Sequence, residues 1–243
     1  IPPINRVALK RLAVELIPMS LKALSCQSNH GDRATATKTN TSVRIGMRTP
    51  SRPARRMNRV AICCLYKDKD KYKILYRNRD YHVTTLATMA ATGQQERKEG
   101  YGPIPEGFEE FPHACCYRCP FGKTYPGCNI ECAGALETVI QREGPDTVGA
   151  IIVEPITAGG GILVPVKEYY PLLQEICRKY EVLMIMDEVV CGFGRTGKMF
   201  GHKHYDVDPD MVTLAKGIAR AYVPLSATVV KNDIFNVFLY DRA

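Results

Sequence analysis

An α/β fold, with a mainly parallel sheet covered by helices on both faces, is what this sequence predicts. Short apolar runs at residues 148–153, 182–186 and 211–214 alternate with stretches of helical periodicity, the rhythm of βα units whose strands are buried on both sides. Each run also finishes at an ionisable residue: Glu154, Asp187 and, after Ala215, Lys216. In open parallel sheets ligands gather beyond the carboxyl ends of the strands.

The elements follow in order. Val7, Leu9, Leu12, Ala13 and Leu16 recur at roughly helical spacing, so residues 3–17 read as an amphipathic helix that Pro18 stops. Residues 29–58 show no sustained apolar period and are rich in Arg, Thr, Ser and Asn, the composition of loop or disorder. A short strand is expected at 73–76 and a helix at 84–91. Residues 96–131 are rich in turn formers and hold four cysteines, and a helix over 133–142 closes at Gly144-Pro145. The last long helix spans 168–180, between the first two of the apolar runs.

Composition narrows the function classes. The 243 residues are 45% apolar and 24% charged, ordinary globular usage and enough for one large α/β domain. No run of about 18 apolar residues predicts a membrane span, and no secretory signal is visible. The net charge of +8 belongs to one segment: residues 1–60 hold 12 basic and 2 acidic residues, and residues 61–243 hold 21 and 23. All 13 Tyr and 7 Phe lie beyond residue 60. The basic stretch therefore lacks the aromatics that stack bases, and nucleic acid is not an expected partner. Ten cysteines without a signal peptide suggest reduced thiols in a cytoplasmic compartment, or a mitochondrial one in a eukaryote.

Two carboxylates and an amine converging on one sheet edge suit a lysine Schiff base, with an acid that keeps a ring nitrogen protonated. The wording around them is specific. Asp187-Glu188-Val189, Gly192-Phe193-Gly194-Arg195-Thr196-Gly197, Pro209-Asp210 and Ala215-Lys216-Gly217 resemble the class III pyridoxal-phosphate aminotransferases, as do Glu154-Pro155 with Gly159-Gly160-Gly161, and Tyr81-His82. The segment Cys116-Tyr117-Arg118-Cys119-Pro120-Phe121-Gly122-Lys123-Thr124-Tyr125-Pro126-Gly127-Cys128 resembles the taurine–pyruvate branch of that family.

The resemblance implies a fold-type I large domain, pyridoxal 5'-phosphate as cofactor, an ω-amino donor with a keto acid as substrates, and a homodimer. Lys216 would form the Schiff base and shuttle the proton, and Asp187 would pair with the pyridine nitrogen. Val189 and Tyr81 would cover the two ring faces, and Ser28 would begin the phosphate-binding turn. Glu154 would lie at the substrate or cofactor edge, in a structural or a catalytic duty. His82 reads equally as a packing residue or a contact, and Arg195 as a turn stabiliser outside the catalytic set. Donors other than taurine, such as β-alanine or 4-aminobutyrate, and an inactive fragment or pseudoenzyme are the rival readings.

The sequence also departs from the family. After Cys26-Gln27-Ser28 comes Asn29-His30-Gly31-Asp32 rather than small residues, and the basic segment over 29–60 resembles a reading-frame slip. Val83 stands where the family usually has Gly. The chain stops at Ala243, so the organisation implied is part of a large domain at 1–28, the anomalous 29–60, and the cofactor-binding large domain at 61–243 without its small domain; such a fragment is not expected to be a competent enzyme by itself. Cys116, Cys119, Cys128 and Cys132 have a spacing compatible with tetrahedral zinc. The same wording serves a family that works through an organic cofactor, so free thiols packing a loop are expected and no metal is assigned.

Overall fold

The computed structural model describes residues 13–16 and 70–240. Ser28, the anomalous 29–60 segment and most of the expected helix over 3–17 lie outside the described residues. The described part is an α/β structure built on one seven-stranded sheet in the order β1-β7-β6-β5-β4-β2-β3.

Its centre is parallel. β2 (Lys73–Arg77), β3 (Phe108–Phe111), β4 (Val148–Val153), β5 (Leu183–Asp187) and β6 (Met211–Leu214) all run the same way. β7 (Ala227–Val230) turns back antiparallel to β6, and β1 (Ala13–Leu16) pairs antiparallel with β7. Here the structure corrects the sequence expectation: Ala13–Leu16 is strand, not helix. The outer edge of β7 presents unpaired N–H and C=O groups, and a strand laid against it satisfies them as a helix would not.

Side-chain alternation explains why β4 and β5 are apolar throughout. Ile151 and Val153, with Met184 and Met186, join one buried cluster with Leu136, Val139 and Ile140 of α2 (Glu131–Glu143) and with Tyr170 and Leu173 of α3 (Tyr169–Lys179). Ala150 and Ile152, with Leu183 and Ile185, point the other way and meet Ile74, Met211 and Ile234 of α4 (Asn232–Tyr240). Burying each large aliphatic side chain contributes about 1.5–3 kcal/mol, so a polar residue in either register would be costly. α1 (Leu86–Ala90) is a single short turn after β2. Gly144 ends α2 at φ 90°, a backbone region suited to glycine.

The expected strands at 148–153 and 211–214 match β4 and β6, and the expected helices over 133–142 and 168–180 lie at α2 and α3. β3 emerges from the stretch read as turn-rich. It is an edge strand with two glutamates between its phenylalanines, and only Phe111 is fully buried. β7 and α4 carry no strong periodic signal and were not expected. Among the described residues no helix is long and apolar enough to cross a membrane.

At the amino end of the sheet the buried Lys71 donates through Nζ to the carbonyls of Tyr180 at 2.8 Å and of Pro145 and Val148 at 3.2 Å, tying three chain segments together. The carboxyl end carries the strain. Val83, just beyond β2, has φ 83°, a conformation that is an outlier for a β-branched residue. Holding an L-residue there costs about 1–2 kcal/mol, of which glycine's greater chain entropy offsets part. Val83→Gly is therefore expected to stabilise the protein by up to about 1 kcal/mol in urea unfolding; a loss of stability would show that the Val83 side chain contributes packing larger than its strain.

Candidate active site

The carboxyl ends of β2, β4 and β5 meet in one hydrogen-bonded network. Arg77, the last residue of β2, is 1% exposed. Its Nη1 donates to the Tyr170 hydroxyl at 2.9 Å, and its Nη2 donates to Asp80 Oδ1 at 2.9 Å, the Glu154 carbonyl at 2.7 Å and Thr157 Oγ1 at 2.8 Å. Asp80 in turn accepts the Glu154 N–H through Oδ2 at 2.9 Å and the Thr157 hydroxyl through Oδ1. The loop after β4 approaches the loop after β2 so closely that a Cβ on Gly160 would stand 2.3 Å from the Arg79 carbonyl oxygen. The middle glycine of the Gly159-Gly160-Gly161 run is thus required by contact.

Glu154 lies on the first position beyond β4 and is 3% exposed. Its two carboxylate oxygens accept the backbone N–H groups of Tyr81 at 2.8 Å and Ala158 at 3.0 Å. Burial, and next the negative charge of Asp80, push its pKa up to about 7 against the pull of those two N–H groups and of His82. Tyr81 is half-buried, with the Arg97 guanidinium 4.5 Å from its ring centroid.

Asp187 closes β5 and is 5% exposed. Its Oδ2 lies 2.7 Å from His82 Nδ1, and its Oδ1 accepts the Val189 N–H at 3.0 Å. His82 is 1% exposed, and its Nε2 is buried without a hydrogen-bond partner among the described residues. The next residue, Glu188, faces away and accepts the Gly201 N–H, the His202 N–H and the His202 ring at 2.7–2.9 Å. Alternation along the chain therefore separates two adjacent carboxylates into two histidine pairs.

Lys216 follows the neighbouring strand, in the short turn Lys216–Ile218. Asp187 is in register with Thr213 of β6, and Lys216 stands three residues beyond it, exposed, with φ 45°. It opens on a depression of about 910 Å³ whose walls include Phe193, Arg195, Met199 and Arg220. The structure thus joins Tyr81, His82, Glu154, Asp187 and Val189 in one network, while Lys216 lines a depression whose described walls include none of them. Ser28 lies outside the described residues. The cysteines Cys116, Cys119, Cys128 and Cys132 are free thiols lining a common cleft, and among the described residues no group of three or more His, Cys, Asp or Glu side chains could hold a metal ion.

Sequence reading missed Arg77 and Asp80. A charged pair three residues apart at the end of an apolar strand was the available signal, since a charge entering a sheet interior needs a partner.

Comparison with known proteins places the site in context. The family model for aminotransferase class-III matches residues 15–241. The taurine–pyruvate aminotransferase of Bilophila wadsworthia is 55% identical over 173 residues, covering 71% of this chain and 38% of the relative. The hypotaurine/taurine–pyruvate aminotransferase of Paracoccus denitrificans is 52% identical over 168 residues, covering 69% and 36%. A Bacillus anthracis aminotransferase structure superposes with a TM-score of 0.68 at 45% identity, covering 72% of this chain and 40% of that one. The chain therefore spans less than half the length of these relatives.

The raised Glu154 pKa has a consequence for stability. Between the ordinary value of 4.5 and about 7 the unfolded chain releases the Glu154 proton while the folded protein keeps it. Its contribution is fully present below that window and is lost as the pH rises through it. The unfolding constant of the wild type, measured relative to Glu154→Gln, is expected to rise by up to about tenfold per pH unit inside the window. A ratio that stays flat with pH would contradict the burial argument.

Proposed function

The chain belongs to the class III aminotransferases, and on that premise we propose that it is the cofactor-binding large domain of a transaminase that moves an amino group from taurine to pyruvate. Taurine and pyruvate are the substrates named for the two bacterial relatives. The observation that carries the reading is the buried Asp187–His82 pair at 2.7 Å, set one strand away from Lys216.

These residues fit pyridoxal 5'-phosphate. A carboxylate held beside a histidine at a sheltered strand end is the partner a protonated pyridine nitrogen needs, and the unpartnered His82 Nε2 leaves polar capacity at that point. Tyr81 offers a flat face to a flat ring, Val189 an apolar one, and Lys216 the amine that would hold the aldehyde carbon. Ser28 would begin the phosphate-binding turn.

Bound there, pyridoxal phosphate supplies an aldehyde and a ring that accepts electrons. The remaining work falls to the chain. Asp187 keeps a proton on the ring nitrogen, and its hydrogen bonds to His82 and the Val189 N–H keep the carboxylate oriented. Glu154 fixes the Tyr81 backbone, and so the plane on which the ring rests. Lys216 Nζ takes the proton from the amine-bearing carbon of the donor and returns it on the other side of the reaction. The domain would act in a cytoplasmic homodimer.

Alanine formation from pyruvate tests this, measured in a polypeptide that carries these residues within the full family length. Taurine is expected to exceed β-alanine and 4-aminobutyrate as donor, Lys216→Ala to abolish turnover, and Asp187→Asn to lower it at least about 100-fold. Substantial turnover by Lys216→Ala would overturn the proposal, and a preference for β-alanine or 4-aminobutyrate would overturn the donor.

A further inference from the structure

The depression in front of Lys216 has an uneven charge. Residues 61–243 carry two more acidic than basic residues, yet Lys216, Arg195 and Arg220 all line this depression and, among the described residues, no Asp or Glu does. Phe193, Met199 and Leu225 supply apolar wall. At about 910 Å³ it has the size of a small-molecule site rather than a macromolecular face.

Arg195 shares its chain segment with Phe193 and Met199, which supply apolar wall to the same depression. Sequence alone reads Arg195 as a turn stabiliser, but the turn is held by other groups. Gly197 N–H donates to the Gly194 carbonyl at 3.1 Å, Gly194 N–H to the Met199 carbonyl at 3.3 Å, and His204 Nε2 lies 2.9 Å from the Thr196 carbonyl. Gly194 and Gly197 supply the left-handed backbone at φ 88° and 90°. The Arg195 guanidinium enters none of these bonds, and it forms no hydrogen bond or ion pair among the described residues. A planar five-donor fork is therefore carried on a fixed turn at the wall of a depression that contains a reactive amine.

We propose that Arg195 anchors the acid group of the amino donor. Its fork would donate to two oxygens of a sulfonate or carboxylate, a charge-assisted and geometrically specific pairing. The donor's aliphatic spacer would lie against Phe193 and Met199, directing its amine toward Lys216. The inference rests on the transaminase reading and adds to it the residue that would hold the donor's acid group. Arg220 stands on a turn of its own, with its N–H donating to the Lys216 carbonyl at 3.1 Å and the Tyr222 N–H to the Ala219 carbonyl at 3.0 Å, and it is the rival anchor that the test includes.

The test uses amine-free probes that cannot react. The chain is titrated with 2-hydroxyethanesulfonate, 3-hydroxypropanoate and uncharged ethane-1,2-diol, and binding is read by saturation-transfer NMR at low salt. One or both acids should bind and the diol should not; the tighter acid identifies the anion the site prefers. Arg195→Ala and Arg195→Gln should each weaken the acids about tenfold or more, with Arg195→Lys in between. Unchanged acid binding in both neutral variants, a loss seen in Arg220→Ala alone, or no acid binding to the wild type would overturn the proposal. Uptake of pyridoxal phosphate is followed separately by absorbance. Arg195-dependent acid binding in a chain that takes up no cofactor would support the anchor and remove the cofactor reading by itself.

Discussion

The Arg77 guanidinium is the interaction on which the described structure depends. It ends β2 inside the protein, where an unpaired charge would be untenable, and it survives there because four acceptors and two tyrosine rings surround it. Burial alone would lower its proton affinity, but Asp80 and the tyrosines reverse that and hold its pKa above the usual arginine value. The four acceptors come from three parts of the site: Asp80 from the loop after β2, Glu154 and Thr157 from the loop after β4, and Tyr170 from α3. Losing one partner of such a buried pair costs about 3–5 kcal/mol, because the other charge is left uncompensated.

Everything chemical is hung from that hub. Asp80 binds the Glu154 backbone, Glu154 binds the Tyr81 backbone, and His82, the next residue, meets Asp187 across the sheet edge. The site is therefore assembled mostly through main-chain groups held by buried carboxylates. A charge change at Arg77 would reach Tyr81 and His82 through Asp80 and Glu154. Glu188 performs the same service for the turn at Gly201 and His202, on the far side of Asp187.

The sequence makes β4, β5 and β6 legible because strands buried on both faces must be apolar throughout, and it makes Glu154 and Asp187 legible because charge at the end of such a run marks the sheet edge. β3 and β7 were less legible because outer strands owe their place to pairing as much as to pattern: the glutamates of β3 interrupt any alternation, and β7 owes its direction to the edge of β6. The strand at Ala13–Leu16 was misread as helix because four residues of mixed polarity satisfy either period, and the choice is made by the distant β7 edge. The Arg77 network was illegible as a network, since its members lie up to 93 residues apart along the chain. Arg195 could not be separated from a turn stabiliser until the bonds that hold its turn were known.

The proposed function has Asp187 and Lys216 serve one ring from the ends of neighbouring strands. Covalent mapping addresses that directly: the chain is incubated with pyridoxal phosphate, reduced with borohydride, digested, and its peptides sequenced by mass spectrometry. The account predicts a phosphopyridoxyl group on Lys216 in near-stoichiometric amount, displaced by no other lysine. A label spread over surface lysines, or concentrated on a residue such as Lys98 or Lys203, would contradict it.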